Sequence, residues 1–210
     1  MKKQQGKDWL VELLPEIGRR EPEDYAPAVK ERLDLISRNV VEVPLITVGM
    51  NTSARIAGAD RVMEAVKQYI ADRDLKADII GSGSIGLMSE EPIMGIQLPG
   101  RTRLLFSNVG EEDVSLILDD VFHNTVPNEK LLGQIRHERH DAWIDVPFLD
   151  ELPFFGFQEK RIARLSGIID PYSIEEYIAN GGYRSFFRVI SFNTYDEVCS
   201  IVEESGLRGR

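Results

Sequence analysis

Cysteine is almost absent from this chain of 210 residues, which contains only Cys199. A single thiol excludes a disulfide framework within the chain, and such scarcity is typical of proteins in a reducing cytoplasm. It also leaves the chain without the several thiolates that an iron–sulfur cluster requires. Cys199 lies beside Val198 and Ile201 in a predicted helix, so we expect it to be a buried small hydrophobic residue.

Basic residues and long apolar runs are also scarce. The chain has 25 Lys and Arg against 35 Asp and Glu, a net charge of −10. Such acidity argues against non-specific nucleic-acid binding and against attraction to an anionic membrane. No apolar run approaches the roughly 20 residues of a membrane span, and the N-terminus lacks the apolar core of a secretory signal. We therefore expect a cytoplasmic protein with no nucleic-acid partner and no direct membrane insertion.

Side chains suited to catalysis are few. The chain has 3 histidines, and the spacing of His137 and His140 is not that of a zinc protease helix, so we interpret them as solvated surface residues. No serine stands in a nucleophile-elbow pattern. A literal G-x-G-x-x-G begins at Gly81, but Pro92 and an apolar strand follow it where a nucleotide site needs a helix. We predict no catalytic residue and no self-sufficient active site.

The apolar pattern of residues 40–123 predicts an α/β domain. An apolar, β-branched run, an amphipathic helix and a second strand predict a right-handed βαβ unit with a parallel strand pair. Two short strands around Pro99 and Gly100 then predict an antiparallel hairpin, and a helix with an acidic first turn completes the order β-α-β-β-β-α. The expected elements are residues 41–48, 58–72, 75–80, 93–98, 103–106 and 111–122.

Three further segments flank this domain. Residues 1–39 form a helical extension, with a helix predicted from Glu23 to Arg38. Residues 124–157 are rich in proline and phenylalanine, which predicts an ordered connecting strap rather than a free linker. Residues 158–210 predict a short strand at 161–165 and three helices. The first begins at Asp170 and the last at the Thr194 capping box.

Two loops in residues 40–123 resemble the cluster loops of thioredoxin-like [2Fe-2S] ferredoxins. They read Gly-Met-Asn-Thr-Ser-Ala from Gly49 and Gly-Ser-Ile-Gly-Leu-Met-Ser-Glu-Glu-Pro from Gly83. That family has a C-x4-C pair and a C-x3-C pair of cluster ligands. The four matching positions here are Gly49, Ala54, Ser84 and Met88. The resemblance therefore implies a thioredoxin-like ferredoxin fold that has lost its metal cluster and carries no cofactor in this segment.

A second resemblance covers the C-terminal part of the chain. The runs Gln-Glu-Lys-Arg-Ile from Gln158, Gly-Ile-Ile-Asp-Pro from Gly167 and Ser-Gly-Leu-Arg-Gly-Arg up to Arg210 stand in the expected order. Together they resemble the NADH-binding flavoprotein subunit of respiratory complex I and of NAD(P)-coupled hydrogenases. The resemblance implies that 158–210 begins the flavoprotein domain, and that Gly209 and Arg210 begin an FMN loop. It places the FMN, NAD(P)H and [4Fe-4S] sites in a longer protein, beyond Arg210.

Three functional interpretations remain open from the sequence. The first is a scaffold or docking region of an NADH-dehydrogenase-type flavoprotein subunit, without its own cluster. Its partners would be other subunits of an electron-transfer complex, including a small thioredoxin-like [2Fe-2S] subunit. The second is a fragment of a working NADH:acceptor oxidoreductase. The third is an unrelated thioredoxin-fold binding module. This segment alone is not expected to be an enzyme, whereas the longer protein is expected to be an NAD(P)H-dependent oxidoreductase subunit. Whether the longer protein is an enzyme depends on which of these interpretations is correct.

Overall fold

The computed structural model describes residues 13–14 and 16–209, which divide into two units. One unit comprises residues 38–173, and the other joins the described residues up to Ser37 to those from Ile174 onward. No described helix is long and apolar enough to cross a membrane. The strands are β1 (Leu45–Gly49), β2 (Asp78–Ser82), β3 (Met94–Gln97), β4 (Leu104–Phe106) and β5 (Leu131–Gln134). The helices are α1 (Pro27–Ile36), α2 (Thr52–Ala57), α3 (Ala59–Asp72), α4 (Val114–Phe122), α5 (Ile174–Ala179), α6 (Arg184–Phe192) and α7 (Tyr195–Glu204).

The unit of residues 38–173 is built on one mixed sheet in the order β2-β1-β3-β4-β5. Strands β1 and β2 are parallel, with Leu45 opposite Asp78 and Gly49 opposite Ser82. All other neighbouring strands are antiparallel. The predicted parallel pair, hairpin and β-α-β-β-β-α order are confirmed. The chain adds a fifth strand, β5, within the range predicted to be a connecting strap.

Both faces of this sheet carry apolar side chains. Successive residues of a strand point to opposite faces, so a strand with consecutive apolar residues places them on both. Ile46 and Ile96 belong to the main core, in which α3 and α4 bury the apolar stripes predicted for them. Leu105 belongs to a second cluster with Ile85, Ile93 and Phe155. The second face is thus covered by loop residues, including one of the phenylalanines of the predicted strap. Its burial agrees with an ordered segment rather than a free linker.

Gln134, the last residue of β5, fixes the strap to the sheet. Its side chain is 1 % exposed. Its Nε2 donates to the carbonyl oxygens of Trp143, at 3.0 Å, and Val146, at 2.7 Å. Its Oε1 accepts from Thr102 Oγ1, at 2.5 Å, and from the backbone N–H of Trp143, at 2.8 Å. All four hydrogen bonds available to the amide are therefore made inside the protein.

The second unit is helical in its described residues. Its apolar cluster comprises Leu13, Ile17, Tyr25 and Ile178. The predicted helix of residues 23–38 is shorter in the structure, where α1 spans Pro27–Ile36. The Thr194 capping box is confirmed, since Thr194 Oγ1 accepts from the N–H of Glu197 at 3.4 Å and the Glu197 carboxylate accepts from the N–H of Thr194 at 2.7 Å.

Two predictions for the C-terminal part were wrong. Residues 161–165 form turns rather than a strand. The helix predicted to begin at Asp170 begins at Ile174. Asp170 Oδ1 accepts from the N–H of Tyr172, at 2.9 Å, so the side chain closes a local turn instead of capping the helix.

Candidate functional site

The two loops that resemble cluster loops lie at one end of the parallel strand pair. Gly49, the last residue of β1, stands opposite Ser82, the last residue of β2. The N–H of Met50 continues the ladder by donating to the carbonyl oxygen of Ser82 at 2.9 Å. Because parallel strands end at the same edge of a sheet, the segments that follow them are neighbours. The βαβ topology thus makes the two loops neighbours in space although they are far apart in sequence.

The structure gathers three of the four positions predicted as former cluster ligands. Gly49 and Ser84 line a small cavity with a volume of about 10 Å³. Ala54 is fully buried in α2, and its Cβ is 4.0 Å from the point that a Cβ on Gly49 would occupy. Met88 differs, because it is 66 % exposed in a short 3-10 turn and is not among the residues that line the cavity.

The residues of this cavity do not fit a [2Fe-2S] cluster. Such a cluster needs thiolate or imidazole ligands, whereas Gly49 and Ala54 provide no ligand atom and Ser84 provides a hydroxyl group. A volume of about 10 Å³ accommodates about one water molecule, which is less than a four-atom cluster requires. Among the described residues, no group of three or more His, Cys, Asp and Glu is placed to hold a metal ion.

A hydrogen-bonded group of polar side chains occupies the space between the two loops. Asn51 Nδ2 donates to Glu91 Oε1, at 2.9 Å, and to Ser53 Oγ, at 2.7 Å. Ser84 Oγ donates to the same Glu91 oxygen at 3.2 Å and accepts from the N–H of Gly86 at 3.0 Å. Glu91 is 8 % exposed. Both Asn51 and Glu91 stand in the loops that resemble cluster loops, but their pairing is not predictable from the sequence, because a lone polar residue in a loop is usually solvated.

The segment that resembles the flavoprotein entry packs directly on the second loop. Ser166 Oγ donates to the carbonyl oxygen of Ser84, and Lys160 Nζ donates to that of Ile85, both at 2.6 Å. Gly167 lines the cavity itself. Burial lowers the pKa of the Lys160 ammonium group below its ordinary value. The two stretches that carry the resemblances therefore meet at this site.

His137 and His140 lie side by side, with ring centroids 4.2 Å apart. They are half-buried rather than fully solvated as the sequence suggested, and His137 Nε2 lies 3.3 Å from Asn39 Oδ1. Burial, and then the neighbouring His140 and Arg139, hold the pKa of the His137 imidazole below its ordinary value.

The remaining residues singled out by the sequence lie near the C-terminus. Cys199 is exposed, so the prediction of a buried thiol was wrong. The reason is that α7 has no buried residue, and the apolar neighbours of Cys199 in sequence do not make a core there. Gly209 is exposed and has no side chain or backbone within reach of an added Cβ. Arg210 lies outside the described residues. The proposed start of an FMN loop therefore stays a prediction.

The fold is a mixed α/β unit with a five-stranded sheet, and it is similar to known ferredoxin structures. The thioredoxin-like [2Fe-2S] ferredoxin of Aquifex aeolicus matches in one structure with a TM-score of 0.38 and 16 % identity, covering 46 % of this chain and 96 % of that one. A second structure of that ferredoxin gives a TM-score of 0.36 and 19 % identity, covering 46 % of this chain and 100 % of the other.

One curated relative shares a stretch of sequence with the chain. The NADP-reducing hydrogenase subunit HndC of Solidesulfovibrio fructosivorans is 48 % identical over 54 residues. The matched stretch is 25 % of this chain and 11 % of HndC, so the chain spans about a tenth of that protein. No protein-family model matches the chain. The chain is thus partly similar to a hydrogenase subunit.

Proposed function

We propose that this chain is a cluster-free docking region of an NAD(P)H-linked flavoprotein subunit. The observation that carries the proposal is the absence of thiolates at Gly49, Ala54, Ser84 and Met88, together with a cavity of about 10 Å³ between the loops. The similarity to an NADP-reducing hydrogenase subunit supports the choice of protein class. A scaffold of this kind keeps a binding surface without providing an electron route.

Iron analysis of the purified chain tests whether it is free of a cluster. We expect no stoichiometric iron or sulfide and no visible absorption after anaerobic purification, because the loops offer no thiolate. Anaerobic reconstitution with iron and sulfide should leave the protein colourless. A stoichiometric [2Fe-2S] signal would contradict the proposal. Met88→Cys is the control for adventitious iron, since one exposed thiol adds a reactive group but not a ligand set.

Helix α6 offers an apolar face of the kind that docking requires. Phe186 and Ile190 are 57 % and 58 % exposed, and their spacing of four places them on one face of α6. Large apolar groups that are exposed together mark interaction surfaces more often than isolated ones do. We propose that a small thioredoxin-like [2Fe-2S] subunit binds this surface.

A binding measurement with that subunit tests the docking role. We expect the double variant Phe186→Ser with Ile190→Ser to bind the small [2Fe-2S] subunit of an NADP-reducing hydrogenase at least tenfold more weakly than the unmodified chain. The loss of two interfacial apolar side chains has this order of effect. The matched control is Leu116→Ser, which removes a 69 % exposed side chain from α4. Equal binding by all three proteins, or no binding by any, would count against docking through this surface.

A second candidate function is that of a working NAD(P)H:acceptor oxidoreductase of which this chain is one part. The identity of 48 % over 54 residues with a hydrogenase subunit favours it. In that case FMN, NAD(P)H and [4Fe-4S] sites lie in further sequence, and the reading frame continues past Arg210 into a glycine-rich loop. A stop codon directly after Arg210 would exclude this function.

A further inference from the structure

The cavity between the two loops contains a carboxylate that is only partly paired. Glu91 is 8 % exposed, and the side chains that line the cavity include no lysine or arginine. Its Oε1 accepts two hydrogen bonds, from Asn51 at 2.9 Å and Ser84 at 3.2 Å. Its Oε2 is buried and has no hydrogen-bond partner among the described residues. An ionised oxygen in this position is costly unless a positive group or a donor reaches it.

A second buried oxygen lies in the same group of side chains. Both N–H bonds of the Asn51 amide are directed at acceptors, Ser53 Oγ and Glu91 Oε1. This arrangement fixes the orientation of the amide. If the amide were flipped, its oxygen would face the Glu91 carboxylate, and two acceptors would be in contact. Asn51 Oδ1 is therefore left as a buried acceptor without a partner in the described part of the chain. The two unpartnered atoms of the network are both oxygens, and both require a positive group or a donor.

The size and charge of the cavity limit which ion or molecule it can bind. Its volume of about 10 Å³ admits one particle of the size of a water molecule. Among the residues that the structure describes, Glu91 is the only charged side chain that lines it, so the site carries one negative charge when Glu91 is ionised. A single positive charge balances this site, whereas a divalent ion leaves an excess of positive charge in a buried place. Carboxylate, amide and hydroxyl oxygens are ligands for hard cations.

We propose that this cavity binds one monovalent metal cation, K⁺ or Na⁺, through Glu91 Oε2 and Asn51 Oδ1. The hydroxyl groups of Thr47 and Ser84 line the same cavity. The site thus holds a single ion at the place where the resemblance implies a lost metal cluster. The cation site does not depend on a docking role, because it rests only on the buried oxygens of Glu91 and Asn51. The docking experiment tests side chains of α6, and the iron analysis tests for a cluster, so either can fail without affecting the cation site.

Thermal unfolding of the whole chain in three chloride salts tests the cation site. At equal ionic strength, we expect a midpoint about 3 °C higher in potassium or sodium chloride than in choline chloride, because a ligand of the native state stabilises it. The alkali salt that gives the larger shift identifies the ion. Glu91→Gln should remove the shift. Glu90→Gln should keep it, because Glu90 binds Asn108 Nδ2 at 2.7 Å and does not line the cavity.

Two outcomes of this experiment overturn the proposal: equal midpoints in all three salts, or an undiminished shift in Glu91→Gln. Crystals of the unmodified chain grown with thallium(I) give a direct measurement that does not depend on the stability of a variant. We expect an anomalous peak between Glu91 Oε2 and Asn51 Oδ1. A water molecule there without anomalous signal, or a protonated Glu91 bonded directly to Asn51, rejects the cation.

Discussion

Gln134→Leu is expected to lower the free energy of unfolding of the sheet unit by about 4 kcal/mol, since each buried group left unpaired costs about 1–3 kcal/mol. Leucine fills a similar volume but leaves the N–H of Trp143 and the carbonyl oxygens of Trp143 and Val146 without their partner, and it leaves Thr102 Oγ1 only its long hydrogen bond, 3.4 Å, to the carbonyl oxygen of Asp141. Urea unfolding followed by tryptophan fluorescence, to which the 4 % exposed Trp143 contributes beside Trp9, measures the loss.

The control for Gln134 is Gln158→Leu. Gln158 is exposed, and its side chain makes one hydrogen bond, to the carbonyl oxygen of Phe154 at 2.6 Å. Solvent can replace that bond, so we expect a change of less than about 0.5 kcal/mol. If Gln134→Leu unfolds at the same urea concentration as Gln158→Leu, then the strap is not held by this amide. The comparison distinguishes the loss of a buried hydrogen-bond network from the effect of replacing any glutamine by leucine.

The elements of the sheet unit that follow local patterns could be predicted from the sequence. Apolar runs and an amphipathic helix between them predicted the parallel pair of β1 and β2, and Pro99 with Gly100 predicted the hairpin. Strand β5 was not predicted, because its four residues include Gly133 and follow a polar turn. Its pairing with β4 and the side-chain bonds of Gln134 stabilise it. Both are tertiary interactions that no short window of sequence contains.

The candidate site was predictable only in part. The spacing of the loops identified Gly49 and Ser84, which the βαβ topology brings to one cavity. Glu91 stands in the second loop, but its hydrogen bond with Asn51, 40 residues earlier in the chain, is a tertiary contact that the spacing of the loops does not indicate. The contact of the Gly167 segment with Ile85 is also tertiary, so the sequence did not indicate that the second loop is covered.

Gly167→Ala is expected to destabilise the sheet unit by about 3 kcal/mol, because it combines an unfavourable backbone conformation with a steric clash. Gly167 has φ of +78°, and an added Cβ lies well inside van der Waals contact with Ile85 Cγ2. The same Cβ is 3.2 Å from the backbone nitrogen and 3.3 Å from the Cα of Ile85, so a change of the Ile85 rotamer still leaves two tight contacts with its backbone. We expect the segment around Gly167 to separate from the second loop, and the unfolding midpoint in urea to fall accordingly.

Gly86→Ala is the matched control for Gly167→Ala, because it separates the backbone cost from the clash. Gly86 lies in the loop that Gly167 covers and has φ of +99°, but nothing lies within 4 Å of an added Cβ. Its substitution should cost only the left-handed backbone penalty, about 1 kcal/mol. The difference between the two variants then measures the packing of the Gly167 segment on the loop. If both variants lose the same free energy of unfolding in urea, then the Gly167 segment moves away from the loop at no cost and does not pack tightly on it.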